Sequence, residues 1–555
     1  MPRSLAKSEC ASLLQTAGKL YDCLQPRCLL KDKTSFCNGL PGLATAFADR
    51  SPIFCVTSSP PLRDAETNSL QGFHDQVVVA KPITKFAHRV TNVEEIPRLT
   101  AYAYRAANSA IKGPVLLDIP IDVLFGPPRI DGISWGAVMM PPAYAPGPDP
   151  KALDQLLDMW KKAERPVIIT GTGARGLDKK LCALAESTST PVFYSSKFST
   201  PTDGLTYGHK LRCGAATRLA ALKPMGKRQA DFVLLLAART GFLLGGRGGA
   251  IIPNDSKLVQ VDVDGSEIGK SLPVALGIAS DAELFCDAFL EKVKDAKIEQ
   301  HGDWVSICAD IGKARPFEKD PKVQSDGQLH PWHAFNAVMH ALPQDSIIMV
   351  DGGEAGQWAA MTLDYAKPKS ALVSTGYLGF LGNGWGYSLG AAVADPSRLV
   401  VNIHGDGSAG FHIQELDTYA RFGLNVLTII SNNYFWGMSV NGQDLVYEGK
   451  TKSRPAVELS KACAYEIVAQ GFNCNGAKVE KFEDIEPTVK KLSTAGRPGL
   501  INMIVSRTPT TPATKSMVEA TDDPNVIVVP YYDNVPRPYF KNSDTPQVNG
   551  QANGH

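Results

Sequence analysis

The sequence predicts an α/β protein of three doubly wound, parallel-sheet domains, and three observations predict it. Short runs of Val, Ile and Leu recur without polar alternation, as strands buried on both faces require. Amphipathic stretches of about ten to fifteen residues separate them, which is the rhythm of βαβ units. Two proline-bearing, aperiodic breaks divide the pattern into three blocks, a division that suits 555 residues at roughly 100–200 residues per domain.

In the first block, residues 1–135, SPIFCVTS and GPVLLDIP read as strands. VEEIPRLTAYAYRAAN between them reads as a helix, acidic early and with Arg late. The block runs out in MPPAYAPGPDP, where five prolines in eleven residues describe a linker. The second block, 150–318, holds the helix KALDQLLDMWKKAE, strand PVIIT, helix LDKKLCALAEST, strand PVFYSS and later strands ADFVLLLA and KLVQVDVD. Polar PFEKDPKVQSDGQ closes it. The third block, 328–508, places SIIMVDGG, RLVVNIHGDG, NVLTIISNN and GLINMIVS as strands with helical sequence between. Residues 509–555 form a proline-rich tail whose polar end, NSDTPQVNGQANGH, is predicted to be disordered.

Composition narrows the function. Fifty-seven basic residues against 56 acidic ones leave a net charge of +1, too little for a protein whose main partner is a nucleic acid or an anionic membrane. Eleven cysteines without a CxxC pair make neither a disulfide framework nor a zinc site of that pattern. No apolar run approaches the ~18 residues of a spanning helix. Lys7, Glu9, Lys19 and Asp22 interrupt any signal segment, and the terminal NGH is no targeting address. A cytoplasmic protein with a small-molecule partner is expected.

One loop invites a nicotinamide reading. GTGARG, Gly171 to Gly176, follows a predicted strand and opens a predicted helix. The next strand, however, ends in Ser195, Ser196 and Lys197, where an acidic residue should hold the ribose hydroxyls. A tight strand-to-helix turn is the better expectation.

The chemistry concentrates in RLVVNIHGDGSAGFHIQELDTYARFGLNVLTIISNNYFWG. A strand delivers Asp406 to a turn between Gly405 and Gly407, where backbone can approach a bulky anion, and a helix is expected from near Gly410. The next strand ends at Asn432 and Asn433. Parallel strands end on one sheet edge, so Asp406 and Asn433 converge there. Carboxylate, amide oxygen and a free carbonyl make a hard oxygen site suited to Mg²⁺ shared with phosphate. His404 and His412 flank the turn and read as packing residues; Arg247 in GGRGG reads equally as an anion nest or a glycine turn.

This GDG followed by NN resembles the cofactor motif of the thiamine-diphosphate-dependent enzymes. The resemblance implies Mg²⁺ held by Asp406, Asn433 and the Phe435 carbonyl, with Gly405, Gly407, Ser408 and Trp436 near the cofactor. GYLGFLG upstream is similar to the family segment that holds the cofactor bent, which puts Leu381 between its rings and Gly379 beside them. PLRDAETNSLQGFHDQVVVAKPITKFAHRV, ARTGFLLGGRGG and GYLG look like the benzaldehyde-lyase and 2-hydroxyacyl-CoA-lyase branch. That likeness implies pyrimidine-binding, central and diphosphate-binding domains, Gln71 as a polar guide beside the reacting carbon, and a homodimer or homotetramer. The implied activity is lyase or carboligase chemistry on an aldehyde, 2-keto acid or acyloin. A 2-hydroxyacyl-CoA lyase, an oxalyl-CoA decarboxylase, an acetolactate-synthase-like enzyme, or a cofactor-binding but inactive chain stand as alternatives.

The family also needs a glutamate on the cofactor's aminopyrimidine. In SECASLLQTAGKLY, Glu9 with Ala11, Ala17 and Gly18 stands at the family's spacing, whereas Lys19 and KDKTSF depart from it; Glu66 is the nearby rival. Glu9 is the expected catalytic residue, in a first domain expected to be shortened at its N-terminus.

Overall fold

The computed structural model describes residues 28–29 and 33–512 apart from 65–66, 68, 70–73, 110, 128–129, 140, 142–143, 196, 200–204 and 448–453, together with residue 514 and three short strands after it. Among these residues three mainly parallel sheets, with helices on their faces, organise the fold. The first has order β1(Cys28–Leu29)–β2(Phe54–Thr57)–β4(Val115–Asp118)–β3(Phe86–Arg89). The second runs β11(Leu276–Ala279)–β10(Lys257–Asp262)–β9(Phe232–Leu236)–β5(Pro166–Thr170)–β6(Val192–Tyr194)–β8(Arg212–Ala215). The third is β16(Asn475–Val479)–β17(Gly499–Ile504)–β15(Val426–Asn432)–β14(Val400–Gly405)–β12(Ile347–Val350)–β13(Ser370–Val373)–β7(Phe198–Ser199). Its last strand comes from the second block and pairs antiparallel with β13.

Each sheet is covered on both faces, and the period of two shows how. In the third sheet Ile348, Val350, Val401, Ile403, Leu427 and Ile429 join one core cluster, while Ile347, Met349, Val400, Val426 and Ile430 join the other. The second sheet divides likewise: Ile168, Leu234 and Val259 face one way, Val167, Ile169, Val233 and Leu258 the other. In the first sheet Cys55 and Leu116 oppose Phe54, Val115 and Leu117. Burying such a side chain stabilises by about 1.5–3 kcal/mol, so two-sided coverage is what makes uninterrupted apolar strands tolerable.

The predicted central strands are present; the differences from expectation lie mainly at the edges. Strands β1, β3, β7, β8, β11, β13 and β16 fall outside the predicted set. Three of them, β3, β11 and β16, are mostly half-exposed or exposed, so they lack the apolar run that marks their neighbours. The helix expected from Gly410 also differs. A short turn of helix begins at Asp406 itself and ends at Ala409, and the longer helix Glu415–Phe422 follows. In the tail, Glu519–Ala520, Val526–Val529 and Tyr532–Pro536 form an antiparallel three-stranded sheet; the terminal segment expected to be disordered lies outside the described residues. No helix among the described residues is long and apolar enough to cross a membrane.

The three blocks meet at a buried junction. Lys197, just beyond β6, places Nζ 2.6 Å from Asp49 Oδ1, and both side chains are 2% exposed. Asp49 Oδ1 also accepts from the Tyr377 N–H at 3.0 Å. Arg50, alongside, pairs with Asp264 and Glu267 at the end of β10. Asn383 donates to Thr45 Oγ1. Burial lowers the Lys197 pKa to about 8, against the pull of Asp49.

Candidate cofactor and metal site

The third sheet reverses its winding at β12. The chain passes from β12 to β13 on one side and returns to β14 on the other, and a crevice opens beyond the carboxyl ends of strands at such a switch point. A cavity of about 190 Å³ occupies that place. Its wall takes Gly352 to Ala355 from beyond β12, Gly405 to Ser408 from β14, Ser431 and Asn433 from β15, and Val505 to Arg507 from β17. Register brings the key residues together: Gly405 stands opposite Ser431, so Asp406 leaves the sheet beside the residues that follow β15.

Asp406 is the unusual group. It is 4% exposed. Its Oδ1 accepts from the Gly407 N–H at 2.9 Å, while Oδ2 is buried with no hydrogen-bond partner among the described residues. Burial raises the carboxyl pKa to about 7, although amide donors pull the other way. A buried carboxylate oxygen without a partner costs several kcal/mol unless a cation or proton meets it.

The Asn-Asn turn is built to present oxygens. Asn432 Oδ1 accepts from Tyr434 N–H and Asn433 Oδ1 from Phe435 N–H, at 3.1 and 3.0 Å. Tyr434 between them has φ +65°, a strained conformation for an aromatic residue that recurs at ligand sites. Asn432 is fixed from behind, donating to Asn502, which in turn donates to Glu466. The Tyr465 hydroxyl donates to the Asp406 carbonyl. Gly407 must be glycine, since a Cβ there would lie 2.6 Å from the Trp436 ring.

All nine described residues expected at the cofactor and metal site, Gly379, Leu381, Gly405, Asp406, Gly407, Ser408, Asn433, Phe435 and Trp436, line this one cavity. Glu9, Gln71 and Glu66 lie outside the described residues. His404 is buried, stacked on Trp385 at 4.8 Å, and burial lowers its pKa to about 4, in keeping with a packing role. An Asp406 oxygen with no partner among the described residues and a neighbouring amide oxygen on the Asn-Asn turn fit a hard divalent cation shared with phosphate.

Sequence reading missed four contributors. Asp351 accepts from Gly382 N–H at 3.1 Å, Gly384 N–H at 2.7 Å and Ser374 hydroxyl at 2.9 Å, and so fixes the loop that carries Leu381. Glu354, buried in the wall, accepts from Thr511 N–H and Thr514 hydroxyl, and burial raises its pKa. Arg507 lies over the Phe435 ring and pairs with Asp444. Part of the tail therefore belongs to the site, with Pro509 also in the wall. The available signal was position: Asp351, Glu354 and Arg507 all follow buried strands at the sheet's carboxyl edge.

A doubly wound sheet with an anion- and cation-ready crevice at its switch point defines a cofactor-binding enzyme. The comparisons narrow the class. Residues 351–503 match the C-terminal, TPP-binding domain of the thiamine pyrophosphate enzymes, and residues 153–289 match their central domain. Acetolactate synthase 2, chloroplastic, of Zea mays is 29% identical over 491 residues, covering 86% of this chain and 75% of that protein. The acetolactate synthase isozyme 1 large subunit of Escherichia coli is 27% identical over 476 residues, 84% and 80% of the two chains. The crystal structure of benzoylformate decarboxylase from Polynucleobacter necessarius superposes with a TM-score of 0.73 at 18% identity, covering 91% of this chain and 90% of that one. The chain belongs to the thiamine-diphosphate-dependent enzyme family.

Proposed function

We propose that the chain is a thiamine-diphosphate- and Mg²⁺-dependent lyase or carboligase that breaks or makes the carbon–carbon bond next to a carbonyl, with a 2-keto acid as its first substrate. The observation that carries this is the buried Oδ2 of Asp406, without a hydrogen-bond partner among the described residues, in the wall of the switch-point cavity. When bound, the cofactor supplies the electron sink that the reaction needs. Asp406 and Asn433 would hold Mg²⁺ through side-chain oxygens and Phe435 through its carbonyl. Leu381, on a loop fixed by Asp351, would press on the cofactor, and Arg507 would meet a phosphate or carboxylate oxygen. Glu9 is proposed to hold the proton at the aminopyrimidine nitrogen, and Gln71 to orient the substrate carbonyl.

The 2-keto acid is favoured because the curated relatives are named acetolactate synthases. The segments SLQGF and GYLG support aldehydes and acyloins as the second class to try. Assembly as a homodimer or homotetramer is proposed with the family's division of the site between subunits, and light scattering of the active species checks it. The deciding experiment supplies thiamine diphosphate and Mg²⁺ and follows CO₂ release from pyruvate and benzaldehyde release from benzoin. Turnover of either that is abolished by chelation and restored by Mg²⁺ is expected. A chain saturated with both that turns over neither overturns the proposal.

A further inference from the structure

Outside the cavity wall, on the central domain, three side chains of different chemistry meet. Cys182 and Glu186 stand four residues apart on the helix Asp178–Thr188, which puts them on one face, one turn apart. His209 approaches from the segment that leads into β8. Its Nε2 lies 3.5 Å from Cys182 Sγ and 3.3 Å from Glu186 Oε1. The three ligand atoms all lie within 4.8 Å of one another.

Those separations have a meaning. Around a tetrahedral Zn²⁺ with bonds of about 2.3 Å to sulfur and about 2.0 Å to nitrogen or oxygen, S and N stand about 3.5 Å apart and N and O about 3.3 Å apart. Two of the three separations are therefore already those of zinc ligands, the third is no more than 4.8 Å, and a fourth position is left for water. Exposure suits entry of an ion: His209 is 15% exposed and Glu186 55%. The charges suit it as well. Asp178 and Glu186 stand one turn to either side of Cys182 on the same helix, so two carboxylates lie on the face that carries the thiol.

We propose that Cys182, Glu186 and His209 form a Zn²⁺ site that ties the helix Asp178–Thr188 to the segment leading into β8. On binding, the Cys182 thiol loses its proton to solvent, its sulfur bonds the metal, and no electron is transferred. The ring proton of His209 moves from Nε2 to Nδ1, so the hydrogen bond that Nδ1 accepts from the Leu211 N–H is given up, and the Nε2 contacts to Cys182 and Glu186 are replaced by bonds to the metal. The tie would matter beyond the central domain. The same segment reaches the third sheet's domain through Tyr207, whose hydroxyl donates to Pro368 O at 3.1 Å, and through Arg212, 3.3 Å from Asp364. Sequence spacing concealed this group, because its ligands are not a CxxC pair and the histidine lies 27 residues away.

The test uses the tag-free full chain, stripped by chelation and then kept saturated with thiamine diphosphate and Mg²⁺ so that the cofactor site is not the one being read. Co²⁺ is titrated and the thiolate-to-cobalt charge-transfer band followed, with Zn²⁺ then added as competitor. One equivalent of cobalt with that band, displaced by one equivalent of zinc, is expected in the wild type. Cys182→Ser should lose the band, and His209→Gln should weaken binding at least tenfold while circular dichroism stays unchanged. A band and stoichiometry identical in the wild type and Cys182→Ser overturn the site. Should Cys182→Ser fail to fold, an unchanged cobalt affinity in His209→Gln overturns it equally.

Discussion

Two strand-to-helix turns of this chain use the same device for different ends. In the central domain β5 passes through Gly171 and Gly173, and a Cβ on Gly171 would lie 2.2 Å from the Ala237 carbonyl oxygen. The glycine is demanded by the end of β9, and Lys197, just beyond the neighbouring strand β6, is committed to Asp49. In the third domain β14 passes through Gly405 and Gly407. A Cβ on Gly405 would meet nothing nearer than 3.5 Å, and Asp406 between the two glycines keeps an oxygen without a partner among the described residues. Glycine reports that something comes close to the backbone. Whether that is another strand or a ligand is decided by the polar atoms left unsatisfied nearby.

The comparison breaks most sharply at Asp406. Replacing it with Ala removes the side chain proposed to hold Mg²⁺, and Mg²⁺-dependent cofactor affinity should fall at least about 1,000-fold, about 4 kcal/mol. Trp436 and Trp358 in the cavity wall make fluorescence quenching the natural measurement. Cofactor affinity within threefold of wild type would remove the distinction between the turns. At the central-domain turn the largest effect should be structural. Lys197→Met leaves the Asp49 carboxylate buried without its counter-charge, which costs about 3–5 kcal/mol, and pairing it with Asp49→Asn should restore much of that. Denaturation midpoints of the three proteins test this, and a single variant as stable as wild type would show that the pair does not hold the junction.

Gly171→Ala sharpens the contrast at smaller amplitude. Forcing a methyl against the Ala237 backbone should destabilise by about 3 kcal/mol, visible as a lowered melting temperature. Cofactor affinity per folded molecule should stay unchanged. If Gly171→Ala instead lost cofactor binding with stability intact, the central turn would be a ligand site after all.

What could be read from the sequence follows from the same physics. Strands such as β9, β12, β15 and β17 are buried along their whole length, so they appear as unbroken apolar runs, and the carboxyl ends of β14 and β15 located Asp406 and Asn433 directly. Strands β3, β11 and β16 lie at sheet edges, and their mixed exposure leaves a pattern like that of loops. The same blindness applied to the site. Glycines and the Asp and Asn of a turn are visible because turn chemistry restricts residue type. Glu354, whose partners Thr511 and Thr514 lie more than 150 residues away, could be recognised only once the chain was folded.

The smallest effect tests why Asp406 is costly when nothing meets it. Burial raises its carboxyl from 3.8 to about 7, so between about pH 4 and pH 7 the metal-free native chain holds a proton that the unfolded chain has released. Stability contributed by this group is therefore highest below the unfolded pKa and falls as pH rises through the folded one, the reverse of an ion-paired aspartate. A tenfold change in proton affinity is worth about 1.4 kcal/mol, and relaxation around the buried charge reduces the total to about 2 kcal/mol. Asp406→Asn removes the titration while keeping the shape. In the metal-free protein the variant should gain on wild type between about pH 5 and pH 8, read as the difference in melting temperature. Adding Mg²⁺ and thiamine diphosphate at the higher pH should reverse the order, because the carboxylate then meets its cation and the amide does not. The same difference in melting temperature at both pH values, metal-free, would mean that the carboxylate is satisfied within the fold, and the third-domain turn would then be structural like the first.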